Sequence, residues 1–344
     1  MATEPSADRP HQPGPVRERK PPELSARLLA EEVEARGLTV TWVHHAYFRT
    51  TVDGVVVGFW CARTNVVSAV ADMTSGRKDL AHGLLRDAGF NVPDQRTYYA
   101  SELDAAIEGA FELAPSLVVK PARGRKGRGV TVGVTSIDEF RSAWQEALQV
   151  DPVRVVVEGQ VSGREVRFLV VGGQTVAAVE KRPPTLVGDG ARTIAELVEE
   201  ASERRRDNEH LRSYPLELDA WRLAGLEAAG LTPGTVLAAG QTVVLDRKAS
   251  LVTGGESIDV TDTVHPSYKD LAGRIADAFP GLGIAGVDIV THAPEAPVGD
   301  HVVLEVNSMP GLGPHHYPLH GTHRNVAAPI VEYTLAVVRG SGRL

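Results

Sequence analysis

The hydrophobic positions of this chain fall into short segments with two different spacings. In LSARLLAEEVEARG, apolar residues recur at helical spacing, and Gly37 follows the last of them. This spacing predicts an amphipathic helix that ends at the glycine. In AYFRTTVDGVVVGFW, β-branched and aromatic residues flank Asp53-Gly54, which predicts a hairpin that turns at this pair.

The same patterns predict the elements that follow. KDLAHGLLRDAG and SIDEFRSAWQEAL are typical of helices, and the second begins with a serine and a carboxylate three residues later. VRVVVEG, EVRFLVVGG and QTVAAVEKR are typical of strands, with a turn at Gly172-Gly173. The helix TIAELVEEASERRR ends in a charged run from Glu203, which we interpret as a solvated helix face.

The segment VVKPARGRKGRGV, from Val118 to Val130, points to a ligand. It joins two apolar strands through a loop with three glycines and several cations. Glycine lets backbone N–H groups approach a ligand closely, and such groups beside cations suit a polyphosphate. A Walker loop or a dinucleotide fingerprint should lead into a helix, so strands on both sides favour a hairpin that closes over phosphates. A basic glycine-rich loop is also common as a solvated turn, and the pattern leaves both interpretations open.

Two apolar strands near the C-terminus carry polar side chains. GIAGVDIVTH and DHVVLEVNSMPG are joined by a short polar loop, which predicts antiparallel pairing. Glu305 and Asn307 are two residues apart and share one face, and Asp288 lies within reach if the register places it opposite them. Mg²⁺ takes one or two carboxylates and completes its shell with water and phosphates, so these residues suit a magnesium site. The alternative is a set of acids on an exposed face.

Composition excludes several classes of protein. The 344 residues are 42% hydrophobic and 23% charged, as in globular proteins of two or three packed units. A net charge of −8 argues against a general nucleic-acid binder, and the single cysteine, Cys61, excludes an internal disulfide. The sequence has no apolar run of transmembrane length and no signal-peptide pattern. We expect a cytoplasmic protein without nucleic-acid or membrane partners, and homo-oligomerisation is left open.

Several motifs then occur together and in order. They are GRKDLAHGLLRDAGFNVP, VVKPARGRKGRGV, VVVEGQVSGREVRFLVVGG, VGDGARTIAELV, LVTGGESIDVTD, IAGVDIVT, LEVNSMPG and RNVAAPIV. With these motifs, over about residues 25–335, the chain resembles the ATP-grasp carboxylate–amine ligases. The resemblance is to the ATP-grasp domain of cyanophycin synthetases and to the glutathione-synthetase domain of bifunctional γ-glutamylcysteine/glutathione synthetases.

The resemblance implies an α+β or α/β chain with an ATP-grasp fold, in which two α+β subdomains clasp ATP. A small α/β domain precedes them in the sequence. The Pro-rich, charged N-terminus adds a disordered tail. The expected boundaries are 1–22 for the tail, 23–75 for the pre-ATP-grasp domain, 76–160 for the central lid subdomain with the glycine-rich loop, and 161–344 for the C-terminal subdomain with the metal site.

The resemblance also implies roles for individual residues. Lys181 would lie near the phosphates, and Arg167 could face the acyl substrate, although an exposed ion pair is the alternative. Magnesium is expected as two ions, which Mn²⁺ can replace. The implied ATP contacts are Lys78, Lys120 and the loop residues Arg123, Gly124, Lys126, Gly127 and Gly129; the adenine hinge is Glu158, Gly159, Gln160 and Val161; the ribose ligand is Glu165; and the metal ligands are Asp288, Glu305 and Asn307.

One motif departs from the family pattern. Related proteins have an arginine and an asparagine before TGG, whereas LDRKASLVTGG has Asp246 and Ser250 at these positions and Arg247 one residue late. A one-residue offset in a strand reverses the face of a side chain unless a bulge corrects it. We keep Arg247 as a candidate catalytic residue with Arg167 and Lys181. The segment RRRDNEHLR is also altered, so we expect a changed substrate choice with ATP use retained.

The implied activity is ADP-forming ligation of amino acids or small peptides through an acyl phosphate, giving a peptide or isopeptide bond. Because neither a Mur-ligase-like half nor a γ-glutamylcysteine-forming half accompanies the motifs, we expect a freestanding ligase that makes a specialised dipeptide. His315 and His316, in SMPGLGPHHYP, are expected to border the acceptor site. Two other functions stay open: a phosphotransferase of the same fold, and a non-catalytic ATP-binding module that regulates a partner.

Overall fold

The computed structural model describes residues 20–124 and 127–341. Residues 1–19 of the predicted tail lie outside these ranges, and so does Lys126 of the glycine-rich loop. No helix within these ranges is both long and apolar enough to span a membrane. The helices are α1 (Leu24–Ala35), α2 (Ala69–Ser75), α3 (Lys78–Asp87), α4 (Leu103–Leu113), α5 (Ile137–Leu148), α6 (Ile194–Asp207), α7 (Ala220–Ala228), α8 (Pro266–Asp277), α9 (Gly313–His316) and α10 (Ala327–Ser341), with a 3₁₀ turn at Leu251–Thr253.

The strands form four antiparallel sheets. In spatial order these are β1-β2-β3-β4, β5-β8-β6-β7, β11-β12 and β13-β10-β9-β14-β15. The strands are β1 (Thr41–His44), β2 (Tyr47–Val52), β3 (Val55–Trp60), β4 (Arg63–Thr64), β5 (Gln95–Tyr99), β6 (Leu117–Pro121), β7 (Thr131–Val134), β8 (Arg154–Gly159), β9 (Arg164–Val171), β10 (Gln174–Arg182), β11 (Thr185–Val187), β12 (Thr242–Val244), β13 (Glu256–Asp259), β14 (Ile284–Thr291) and β15 (His301–Asn307).

The first sheet packs against α1 and confirms the predicted hairpin. β2 and β3 pair around Asp53 and Gly54, whose φ values are 50° and 81°. Positive φ at both central residues gives the turn the twist that a two-residue hairpin needs. Phe48 and Phe59 lie on the inner face and stack with ring centroids 4.6 Å apart.

The five-stranded sheet, which we call the central sheet, is covered on one face by α8 and α10. Val166 and Phe168 of β9 contribute to this core. The side chains between them point to the opposite face, because successive residues of a strand alternate. That opposite face carries the polar residues described in the next subsection.

The sheet β5-β8-β6-β7, which we call the hairpin sheet, packs on α4 and α5 around its own core. β6 and β7 pair on either side of the glycine-rich loop, as predicted. Gly129 has a φ of 66°, and a Cβ there would lie 2.9 Å from Val150 and 3.0 Å from the carbonyl oxygen of Glu146. Residues 160–163 lead from β8 to β9 and so connect the hairpin sheet to the central sheet.

One hydrophobic core groups residues from both sides of the predicted boundary at residue 76, and the domain boundaries themselves stay predictions. One core combines α1, the first sheet, α3 and the central sheet, so the 23–75 segment has no separate core. α3 contributes Ala81 and Leu85 to that core, not to the hairpin sheet. A third core, with α6, α7 and the β11-β12 ribbon, lies inside the segment 161–344. An amphipathic pattern shows which face of a helix is buried but not which partner covers it.

One prediction about charge was wrong. Arg205, in the run interpreted as a solvated face, is 2% exposed. Its guanidinium donates to the backbone carbonyls of Tyr214, Leu251, Gly254 and Gly255 at distances between 2.5 and 3.1 Å. Burial lowers the pKa of Arg205 to about 10. The physical reason is that a loop from elsewhere in the sequence supplies the acceptors that make burial of the cation tolerable.

Replacing this arginine should therefore destabilise the fold. We expect Arg205→Met to lower the free energy of unfolding by about 2–5 kcal/mol, because buried carbonyls lose their donor. Arg206→Met is the matched control, since Arg206 is 48% exposed in an ion pair with Glu199. It should change stability by no more than about 0.5 kcal/mol. Urea unfolding measures both, and equal losses in the two variants would contradict the role of Arg205.

Candidate functional site

The polar face of the central sheet brings the predicted residues together through its register. Asp288 of β14 lies directly opposite Arg167 of β9 on one side and Glu305 of β15 on the other. Lys181 of β10 lies opposite Glu165 of β9. Because directly opposite residues share a face, all five side chains point to the same side of the sheet. The register that the sequence argument required is present.

Arg167 is the centre of this face. Its Nε and Nη2 donate to the two carboxylate oxygens of Asp288 at 2.7 and 2.6 Å, and Nη2 also lies 3.2 Å from Glu305 Oε1. Lys181 Nζ lies 3.2 Å from Asp288 Oδ2 and pairs with Glu165. Asp288 is 1% exposed, so its charge is compensated almost entirely by these two cations.

α3 brings a third cation to the same face. Lys78, the first residue of this helix, lies 2.9 Å from Glu305 Oε2, and the Asn307 amide donates to Glu305 Oε1 at 2.9 Å. The Lys78 ammonium, followed by Arg167, holds the pKa of Glu305 well below its usual range. The three predicted metal ligands are therefore adjacent, and the carboxylate oxygens of Asp288 and Glu305 face cations.

The hairpin sheet contributes the fourth cation. Lys120 of β6 is buried and donates to Glu158 of β8. Burial lowers the pKa of Lys120, and Glu158, Lys78 and Glu305 are the nearby charges. The two sheets therefore meet at one cluster, which we call the charge cluster. Its members are the cations Lys78, Lys120, Arg167 and Lys181 and the carboxylates Glu158, Glu165, Asp288 and Glu305.

The predicted adenine hinge lies where the chain passes from one sheet to the other. The Glu158 side chain pairs with Lys120, so a nucleotide base would meet the backbone here and not this carboxylate. The N–H groups of Gly159 and Gln160 already donate, to Asp94 O at 3.1 Å and Ser116 O at 2.9 Å. Val161, next along this connection, is the hinge residue that these contacts leave for a base.

The glycine-rich loop and the altered motif lie side by side. A Cβ at Gly127 would lie 3.7 Å from Ser250 Oγ, and Arg247 Nη1 donates to the Gly133 carbonyl of β7 at 3.2 Å. β12 ends at Val244, so residues 246–250 form a loop. The strand-face argument for Arg247 was wrong for this reason. Arg247 contacts the hairpin and is not a member of the charge cluster.

The remaining loop residues have structural contacts. The Arg123 N–H donates to Asp151 Oδ2 at 3.1 Å, and a Cβ at Gly124 would lie 3.1 Å from Pro121. Lys126 lies outside the described residues. In the part of the chain that the structure describes, no group of three or more His, Cys, Asp or Glu residues could hold a metal ion. A metal site here would use two carboxylates and the Asn307 amide.

Comparisons with known proteins show what the whole chain is similar to. The chain is 38% identical over 256 residues to the cyanophycin synthetase of Geminocystis herdmanii, and the match covers 72% of this chain and 29% of that protein. It is 32% identical over 273 residues to the glutathione biosynthesis bifunctional protein GshAB of Mannheimia succiniciproducens, covering 77% and 36%. The bifunctional glutathione synthetase of Pasteurella multocida matches the structure with a TM-score of 0.68 at 27% identity, over 92% of this chain and 44% of that one.

These matches show what the chain is related to. Its homologues are cyanophycin synthetases and bifunctional glutathione synthetases, and it has the ATP-grasp fold. D-alanine–D-alanine ligase of Bacillus anthracis shares the fold, with a TM-score of 0.50 at 17% identity. No family model matches the chain. The chain spans about three tenths of the length of the cyanophycin synthetases that it resembles.

Sequence reasoning missed one buried residue beside the charge cluster. His82 of α3 lies one helical turn after Lys78, is buried, and places Nε2 2.8 Å from the Leu304 carbonyl oxygen. Burial, followed by Lys120, lowers its pKa. The i, i+4 spacing from Lys78 was the available signal, because it places both side chains on one face of the helix.

The two histidines predicted at the acceptor site separate in the ATP-grasp fold. His315 is buried, and its nearest charged groups include Arg167 and Lys181 of the charge cluster. His316 is only half-buried, and the charged groups near it include Glu31 and Arg27 of α1. The structure therefore brings His315 to the charged face and turns His316 towards α1.

Removing the charge of one partner of the Arg167–Asp288 pair should destabilise the fold more than removing the charges of both partners. We expect Arg167→Met to lower the free energy of unfolding by about 3–5 kcal/mol, because Asp288 stays buried beside two other carboxylates. Adding Asp288→Asn should recover at least about 1 kcal/mol through the coupling of the two residues. Urea unfolding of both single variants and the double variant completes the cycle. Additive losses would mean that the two side chains do not stabilise each other.

Proposed function

We propose that this protein is an ATP-dependent carboxylate–amine ligase that forms an amide bond through an acyl phosphate and releases ADP and phosphate. One observation carries the proposal: the charge cluster joins the central sheet to the hairpin sheet beside a glycine-rich hairpin. Phosphoryl transfer needs positioning and charge stabilisation more than covalent chemistry from the protein. The buried cations of the charge cluster and the backbone N–H groups of the glycine-rich hairpin supply both.

The cations suit a triphosphate because their present partners are all carboxylates of the same site. Lys78 and Lys120 contact Glu305 and Glu158. A phosphate oxygen between them would accept charge-assisted hydrogen bonds of the same kind, in surroundings where such bonds are strong. We assign these two lysines and the loop 123–129 to the phosphates, Val161 and the backbone of 158–160 to the base, and Glu165 to the ribose.

The residues also fit magnesium. Arg167 Nη2 lies within 3.2 Å of oxygens from both Asp288 and Glu305, so the two carboxylates converge on one point of positive charge. The Asn307 amide, which donates to Glu305 Oε1, would supply a neutral oxygen. We propose that Asp288, Glu305 and Asn307 hold two magnesium ions, which Mn²⁺ can replace. Bound there, magnesium would neutralise charge on the phosphates.

A ligase explains the site better than the two alternatives. An amine does not displace oxide from a carboxylate at a useful rate, so the acid needs activation as an acyl phosphate. An acyl phosphate must be protected from water, and a hairpin closing over the phosphates provides that protection. The relatives named synthetase and ligase favour this function over a phosphotransferase that releases its product and over a non-catalytic module.

We propose amino acids or small peptides as substrates, and a dipeptide as product. The altered residues support a substrate that differs from those of the relatives. Arg247 and Ser250 lie beside the hairpin. Asn208 of the altered RRRDNEHLR segment donates to the carbonyl groups of Tyr317 and Pro318. We assign Arg167 and Lys181 to the acyl substrate. A cytoplasmic location stays a prediction.

The proposed function predicts amine-dependent ADP release. With ATP, magnesium and pairs of amino acids, we expect ADP and phosphate to form in equal amounts only when both partners are present, with an amide product found by mass spectrometry. ADP that forms with one substrate alone, together with a phosphorylated product, would identify a phosphotransferase. Nucleotide binding without any turnover across the whole panel of pairs would identify a binding module.

The metal ligands proposed on β15 lead to a separate prediction. We expect Glu305→Gln to lower ADP formation by at least about a hundredfold across a magnesium titration, because it removes one of two carboxylates that hold the ion. Asn307→Ala removes a neutral oxygen and should cost less. Exposed Glu332→Gln, on α10, is the control and should match the parent. If Glu305→Gln keeps parental activity at every magnesium concentration, β15 does not hold the metal.

A further inference from the structure

His315 is a buried side chain whose polar atoms have no structural use. It is 1% exposed, and within the described residues neither ring nitrogen has a hydrogen-bond partner. An unsatisfied polar group in the interior costs stability, and such groups in native proteins usually have a functional explanation. The imidazole therefore offers one donor and one acceptor that the rest of the described chain does not use.

The position of this ring relates it to the proposed chemistry. α9 follows the metal strand β15 and packs against β10, which carries Lys181, and against β13. The charged or titratable groups near the ring include Arg167, Lys181, Asp259 and His210. Two of them are cations of the charge cluster, so the imidazole lies at the edge of the site where Arg167 and Lys181 would meet the acyl group.

Of the other two neighbours, Asp259 has partners of its own and His210 packs against α9. Asp259 accepts from Arg324 at 2.6 and 3.1 Å and from Thr261 Oγ1 at 2.6 Å. The ring of His210 lies against α9, where a Cβ at Gly313 would be 2.2 Å from His210 Nδ1. Asp259 is therefore satisfied without His315 and does not orient its ring as a carboxylate does in a catalytic triad.

The surroundings keep His315 neutral. Burial, followed by the positive charge of Arg167, lowers its pKa to about 3. A neutral imidazole has a lone pair that can accept a proton. Negative charge from an acyl phosphate beside Arg167 and Lys181 would offset these cations and raise the proton affinity of the ring. The same geometry therefore makes the ring a better proton acceptor when the activated acid is next to it.

We propose that His315 takes the proton that the attacking amine loses as the amide forms, an inference that rests on the proposed ligase function. The amine lone pair forms the C–N bond at the acyl carbon, and the C–O bond to phosphate breaks with its electron pair on the phosphate oxygen. One N–H proton passes to a ring nitrogen of His315 and from there to the departing phosphate or to water. His315 is then a catalytic residue of the second half-reaction only.

Hydroxylamine separates the two half-reactions. It is unprotonated at neutral pH and traps an acyl phosphate as a hydroxamate with little need for a base. We expect His315→Gln to lower amide formation by at least about a hundredfold, the usual contribution of a general base. Hydroxamate formation from the same acid, ATP and magnesium should stay within about threefold of the parent, since the first half-reaction is unchanged.

His320→Gln is the matched control. His320 lies in the same loop region, its side chain is 46% exposed, and it lies 3.6 Å from Glu256. This variant should keep parental rates with both acceptors. For His315→Gln, the remaining amide formation should rise with pH over the alkaline range, because hydroxide replaces the missing base, whereas a residue that only packs the loop would lower the rate equally at every pH.

The outcomes distinguish this inference from the function on which it depends. If the parent forms neither hydroxamate nor amide with any of the common amino acids as the acid, the proposed ligase function fails. If the parent forms both and His315→Gln loses both equally, the residue serves ATP use or folding, and the inference is overturned. Unchanged amide formation in His315→Gln also overturns it. Loss of amide with retained hydroxamate shows in addition that the variant is folded.

Discussion

The structure depends on the mutual neutralisation of buried charges between two sheets. Asp288 is held by Arg167 and Lys181, and Lys120 by Glu158, in surroundings where an unpaired charge would be costly. The register of the central sheet makes this possible, because it sets Arg167 opposite Asp288. A slip of one residue would turn these side chains into the apolar core under α8, so the charges and the core enforce the same register.

Elements defined by local patterns could be predicted from the sequence. The β2-β3 hairpin follows from Asp53-Gly54, and the shared face of Glu305 and Asn307 follows from the period of a strand. The position of Asp288 opposite Glu305 needed only antiparallel pairing of adjacent strands. These inferences hold because every interaction that fixes them lies within one or two neighbouring elements.

Features that depend on distant partners could not be predicted in this way. Arg205 looks like a surface residue until the carbonyls of residues 251–255 surround it, and α3 looks like part of the lid until its apolar face meets the first core. Arg247 was judged as a strand residue, although it lies in a loop that reaches Gly133. In each case the sequence shows the polarity of a side chain, and the tertiary contact decides its role.

The charge cluster also relates the stability of the fold to the proposed chemistry. Its cations are held in place by carboxylates, so they are positioned before phosphates arrive, and little reorganisation remains for the reaction. The carboxylates that hold them include those proposed for magnesium, so phosphate and metal would exchange partners within one set of residues: the lysines would pass to phosphate oxygens, and Asp288 and Glu305 to the metal. Opposite charges would then enter together and keep the balance that allows burial. A site built from separate, unpaired cations and acids would have to bury uncompensated charge at one stage, and the paired charges between the two sheets avoid this.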